Sequence, residues 1–156
     1  MLKFVVDQCP RRDTLLVLGD FNAPTGTDRD GYETCVGPHG SGTMNQNSIK
    51  FLDFARSRGL RVAGSWFQRP QAHCLTWYSN AGGVAKEIDH VVVDGRWRMI
   101  QNCRMYQSAQ FLNIDQRLVV ATLKLQLKSG RIVPFQLRLD VGKLKDVRIA
   151  EEFATG

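Results

Sequence analysis

Asp20 and Asn22 stand two residues apart at the end of the apolar run Leu15-Leu16-Val17-Leu18, which breaks at Gly19. The run reads as a buried strand that stops abruptly. Side chains alternate along a strand, so the carboxylate and the carboxamide are expected on one face, with Phe21 turned into the packing. An anionic base fixed beside a neutral hydrogen-bond donor suits chemistry on a phosphate. The same residue types also make turns. Two more carboxylates flank apolar runs, Asp89 ahead of Val91-Val92-Val93 and Asp115 ahead of Leu118-Val119-Val120. All three acids are therefore expected at one rim of a sheet.

The elements that must hold them are short. Leu2, Val5, Val6 and Cys9 recur at helical spacing, and Pro10 ends that pattern. Residues 24–47 form a long loop rich in Gly, Asp, Asn, Thr and Pro, of the kind that is usually functional or mobile. A helix is expected over about 48–58, capped by Asn47 or Ser48 and closed by Gly59. Strands are expected over Leu60–Phe67, Leu75–Tyr78, Glu87–Val93, 102–108 and 118–127. Beyond Lys128 a strand over 131–139 and a charged helix over 143–153 read as a linker or tail. The division is thus 1–128 for the domain and 129–156 for the tail. Many strands and few helices point to an α+β layered fold.

With 156 residues and 43% hydrophobic content, the chain can bury one domain's core. No apolar run approaches the ~20 residues needed to span a bilayer. The start, Met1-Leu2-Lys3-Phe4, lacks the apolar stretch of a secretion signal. Four widely spaced cysteines without a C-x-x-C pair fit reduced thiols, hence an intracellular setting, nuclear or cytoplasmic. Cys35, His39, His73 and Cys74 match no standard zinc spacing. A net charge of +6 favours a polyanionic partner, although its basic residues cluster only at Arg96-Trp97-Arg98 and Lys143–Arg148. His90 is expected to pack rather than react, and His39 to anchor its loop.

Gly19-Asp20-Phe21-Asn22, Thr76-Trp77, Ile88-Asp89-His90 and Asp115-Gln116-Arg117-Leu118-Val119 follow one another in an order that resembles the C-terminal motifs of the endonuclease/exonuclease/phosphatase superfamily. Gly37-Pro38-His39-Gly40, Asn45, Arg58-Gly59-Leu60 and Lys143-Leu144-Lys145-Asp146 narrow the resemblance to endonuclease domains of RTE-type LINE retrotransposons and to craniofacial development protein 2-like sequences that carry the same domain. The resemblance implies part of a four-layered α/β/β/α sandwich, with the N-terminal half of that domain absent. It implies a Mg2+-dependent endonuclease ancestry, with DNA as partner, no membrane, and a reverse transcriptase in full-length relatives. By the same resemblance Asp20 orients or deprotonates water, Asn22 contacts water or phosphate, and Trp77 lies against the nucleic acid. Asp89 pairs with the residue at 116, and Asp115 helps to hold the metal.

Two departures weaken that inheritance. The last motif of the family is Ser-Asp-His, whereas this chain has Ile114-Asp115-Gln116. A glutamine donates a neutral hydrogen bond but carries no imidazolium charge. The main metal-binding Glu of the family has no counterpart in this chain, so weak metal binding and impaired catalysis are expected. The alternatives are a non-catalytic nucleic-acid-binding remnant and, further off, a superfamily phosphatase.

Overall fold

An edge strand, a helix and a doubly buried strand organise the α+β fold. The computed structural model describes residues 2–106 and 115–125. Helix α1 (Leu2–Gln8) leads into β1 (Leu16–Asp20), and a long connection reaches α2 (Gln46–Ser57). Strand β2 is only Arg61–Val62, because the chain turns at once into a 3-10 segment, Ala63–Trp66. A second such turn, Gln71–His73, precedes the hairpin of β3 (Trp77–Tyr78) and β4 (Ala85–Lys86). Strand β5 (Asp89–Val93), a 3-10 turn at Trp97–Met99, β6 (Ile100–Tyr106) and β7 (Leu118–Leu123) complete the described residues. The compact unit containing them ends at Leu125. The strand expected over 131–139 and the helix over 143–153 lie outside the described residues.

Strand β5 is central. It runs antiparallel to β1 on one side, with Leu16 opposite Val93 and Asp20 opposite Asp89, and to β2 on the other. His90, Val91, Val92 and Val93 are all buried. Val92 joins Phe51, Leu52, Phe54 and Ala55 of α2 in one core cluster. Val91 and Val93 face a second cluster with Ile100 and Cys103, against which Val119 and Ala121 pack. The β6–β7 ladder thus covers the face of the sheet opposite α2. A helix layer and two sheet layers are accounted for.

The run at 15–18 does not make a buried strand. Leu16 and Val17 are half-buried and Leu18 is 67% exposed. Among the described residues β1 is an edge of its sheet, so only its β5 side is satisfied by pairing. The apolar run over 60–67 does not continue as a strand either, since the 3-10 turn of Ala63–Trp66 ends β2 at Val62 and brings the Trp66 ring under the Arg61 guanidinium. The long loop is built into the core: Ala23, Thr25, Cys35 and Val36 are buried. Val62 N–H donates to the Cys35 carbonyl at 2.8 Å and His39 N–H to that of Ser65 at 2.9 Å.

Helix α2 starts two residues before its expected position because Asn45, rather than Asn47 or Ser48, is the cap. Its side-chain oxygen accepts from Ser48 N–H at 2.8 Å, and the Ser48 hydroxyl accepts from Asn45 N–H at 3.0 Å. This reciprocal pair satisfies two of the otherwise orphaned donors of the first turn. The Asn45 amide also donates to the Asn22 carbonyl at 3.0 Å, tying the helix start to the segment after β1. Asn45→Ala is expected to cost about 1–2 kcal/mol in urea unfolding, with the native fold retained.

Candidate functional site

Thr76, 2% exposed, holds the rim together. Its hydroxyl oxygen accepts from the backbone N–H groups of Ile88 and Asp89, each at 3.1 Å. Its own N–H donates to the Lys86 carbonyl at 2.9 Å, and its carbonyl accepts from Arg117 N–H at 2.7 Å. Three separate stretches of chain therefore meet at one threonine. Next to it Trp77 bridges to Gln116, and Tyr78 N–H donates to the Asp115 carbonyl at 2.8 Å. The short β3 strand thus draws residues 115–117 toward the end of β5.

This arrangement brings most of the expected residues together. Asp20 and Asp89 are directly opposite partners across β1 and β5. The Gln116 side-chain amide donates to Asp20 Oδ2 at 3.0 Å, and the Trp77 indole N–H donates to Asp115 Oδ2 at 2.8 Å. Asn22 is placed differently from the strand argument. Strand β1 ends at Asp20, and Asn22 adopts φ +50°, the sole positive φ of a non-glycine among the described residues. Its N–H donates to Asp20 Oδ1 at 2.8 Å. An Asx turn therefore replaces the alternation, and asparagine tolerates the left-handed conformation that this requires. Asn22 remains at the rim, lining a pocket of about 300 Å³ with Trp77, Asn47 and Lys86.

The electrostatics centre on Asp89. Burial raises its carboxyl above the usual range; the Thr76 hydroxyl opposes this, and the neighbouring Asp20 and Asp115 add to it. Asp89 Oδ2 is buried without a hydrogen-bond partner. The Gln116 amide is spent on Asp20, so Asp89 does not receive it in this structure.

These residues do not by themselves fit a magnesium ion. Among the described residues, no three His, Cys, Asp or Glu side chains cluster closely enough to hold a metal. One oxygen of Asp115 and both oxygens of Asp20 are already engaged within the protein. Asp89 Oδ2 offers a single unpartnered oxygen, fewer than a hard dication takes.

His90 packs. Its Nε2 lies 2.8 Å from the Ala23 carbonyl oxygen, which can only accept, so Nε2 carries the proton. The ring stacks on Phe51 at 5.4 Å between centroids, and Phe21 lies on Phe51 at 4.3 Å. Phe21 is turned into the packing. Thr76, Asn45 and Lys86 are the residues whose roles the sequence motifs did not reveal. The N-x-x-S spacing of Asn45 and Ser48 was a usable signal for one of them.

The described residues thus form an α+β unit with an acidic, hydrogen-bonded rim, and none of their helices is long and apolar enough to cross a membrane. The chain is similar to craniofacial development protein 2 of Tragulus javanicus, with 29% identity over 128 residues. That match covers 81% of this chain and 22% of the relative. The protein of the same name from Bos taurus is 27% identical over 128 residues, covering 81% of this chain and 21% of its own length. The chain spans about a fifth of the length of these curated relatives. No protein-family profile matches the chain, and no solved structure does.

Burial holds the His90 imidazole below its ordinary pKa of 6.5, more strongly than Glu87 and Asp89 raise it. A depressed histidine contributes stability above its unfolded-state value that is lost as pH falls. The melting temperature is therefore expected to drop progressively once pH passes below about 6.5. His90→Gln keeps a donor for the Ala23 carbonyl but takes no proton, and is expected to flatten that dependence. Thermal melts across pH 4.5–7.5, taken as a range around the ordinary histidine value, check this.

Proposed function

We propose that this chain is the C-terminal part of a phosphodiester-hydrolysing domain of the endonuclease/exonuclease/phosphatase type, derived from an RTE-type retrotransposon and catalytically impaired. The observation that carries the reading is the convergence of Asp20, Asp89, Asp115 and Gln116, far apart in sequence, at one rim.

Asp20 is the acceptor for a proton from water. Asn22 N–H and the Gln116 amide each hold one of its oxygens, which fixes the carboxylate in one orientation. Positioning is therefore retained, whereas charge stabilisation is reduced. Gln116 supplies a neutral dipole toward a phosphate that gains negative charge, and an imidazolium would supply a full charge. Trp77 acts first as the donor that orients Asp115 and only second as a surface for nucleic acid. Magnesium, assigned to Asp115 by the family pattern, would be held weakly by these residues, and no step is derived through it.

A second reading is favoured by the same hydrogen bonds. Engaged carboxylates and a neutral Gln116 equally suit a remnant that binds nucleic acid without cleaving it.

Supercoiled-plasmid nicking in millimolar magnesium separates the two. Nicking is expected at a rate on the order of 10²–10³ below that of an intact site, abolished by Asp20→Asn and raised by Gln116→His. Robust nicking that persists in Asp20→Asn would overturn the proposed roles. No nicking in either the parent or Gln116→His would leave the binding reading.

A further inference from the structure

We infer that a groove running from the acidic rim along the start of helix α2 takes the phosphate backbone of duplex DNA, held by Lys86, Lys50 and Lys3. Resting on the nucleic-acid reading above, this adds the path of the ligand and the form in which it is bound. The groove consists of two cavities that meet at Asn22 and Asn47. The first, of about 300 Å³, is also lined by Trp77 and Lys86. The second, of about 440 Å³, is lined by Phe21, Phe51 and Phe54 together with Lys3 and Lys50.

The charge of this groove has one sign. Lys3, Lys50 and Lys86 are its charged lining residues, and no carboxylate lines either cavity. All three lysines are exposed. Among the described residues, none of their ammonium groups enters an ion pair or a hydrogen bond. Arginines elsewhere differ: Arg56, Arg58 and Arg69 each contact a carboxylate, at 3.0, 2.7 and 2.9 Å. Uncompensated cations gathered in one groove attract a polyanion. Lys86 ties this field to the rim. It stands directly opposite Trp77 in the β3–β4 hairpin, so the two side chains share a face, and the Trp77 indole N–H holds Asp115. Asp20, Asp89 and Asp115 repel an approaching phosphate, and cations beside them offset that repulsion.

The apolar lining decides which form of nucleic acid fits. Phe51 and Phe54 are 5% and 7% exposed, and Phe21 is half-buried and lies on Phe51 at 4.3 Å. These rings belong to the α2 core, so they offer no projecting platform on which an unpaired base would stack. Lysine stems extend over apolar surface of this kind while the ammonium stays in water. What remains for a ligand is three ammonium groups and the amides of Asn22 and Asn47, which suit phosphate oxygens. Contacts of that type position a duplex without reading its sequence. Duplex DNA presents a charge every ~1.7 Å of axis, dense enough to engage several cations of one groove at once.

Fluorescence anisotropy of the full chain tests this, using a labelled blunt duplex and a single strand of equal length at several salt concentrations. Lys3→Gln, Lys50→Gln and Lys86→Gln are each expected to lower the salt slope for the duplex by about one. The triple variant is expected to bind it on the order of 10²-fold more weakly at physiological salt. Arg12→Gln removes the same charge from an 89%-exposed side chain at the other end of β1 and is expected to change neither quantity. A triple variant that binds like Arg12→Gln, or tighter binding of the single strand than of the duplex, would overturn the groove. Lysine-dependent duplex binding without any nicking would support the groove while removing the hydrolase reading. Nicking by a triple variant whose binding is unchanged would do the reverse.

Discussion

Everything at the rim depends on how β5 is held: buried on both faces, paired antiparallel to β1, and pinned at its start by the Thr76 hydroxyl. That register sets Asp20 directly across from Asp89. Opposed carboxylates repel, and a register slip of one residue would separate them. Slippage is prevented from inside. Val92 is committed to the α2 core and Val91 and Val93 to the β6–β7 core, so moving the strand by one position would exchange its faces. Apolar packing thereby holds an electrostatically unfavourable pair in place.

The consequence appears as a raised Asp89 carboxyl and an unpartnered buried oxygen. Polar atoms without partners are costly in a protein interior and are few in native structures. One sits here, directly across from Asp20 and within the electrostatic influence of Asp115, at the end of the most buried strand. Strained or unsatisfied groups concentrate where chemistry or binding takes place. Elsewhere in the interior His90 is satisfied by a carbonyl and Arg69 pairs with Glu87, although Arg69 Nε and Arg104 Nε are also buried without a partner.

A sequence motif and its geometry can also agree for different reasons. Asp20 and Asn22 are neighbours in space, as their spacing promised, yet an Asx turn joins them and not strand alternation. Trp77 is at the rim, yet its indole N–H is committed to Asp115. Gln116 reaches Asp20 and not Asp89. In each case the residue type set what could be donated or accepted, while the partner was chosen by the chain segment that happened to pack alongside.

Local patterning alone determined the existence of α2, the apolar character of β5, the α+β class and the candidate acids, because those follow from periodicity, glycine punctuation and side-chain chemistry within a few residues. It placed Phe21 in the core correctly and missed the exposure of Leu18 and the shortness of β2. Only the tertiary structure decided that β1 would be an edge, that residues 23–26 and 35–37 of the long connection would be buried, and that Thr76 would join three segments. Those outcomes depend on contacts between residues tens of positions apart. Neither propensity nor spacing encodes which hydroxyl or amide a distant backbone will meet.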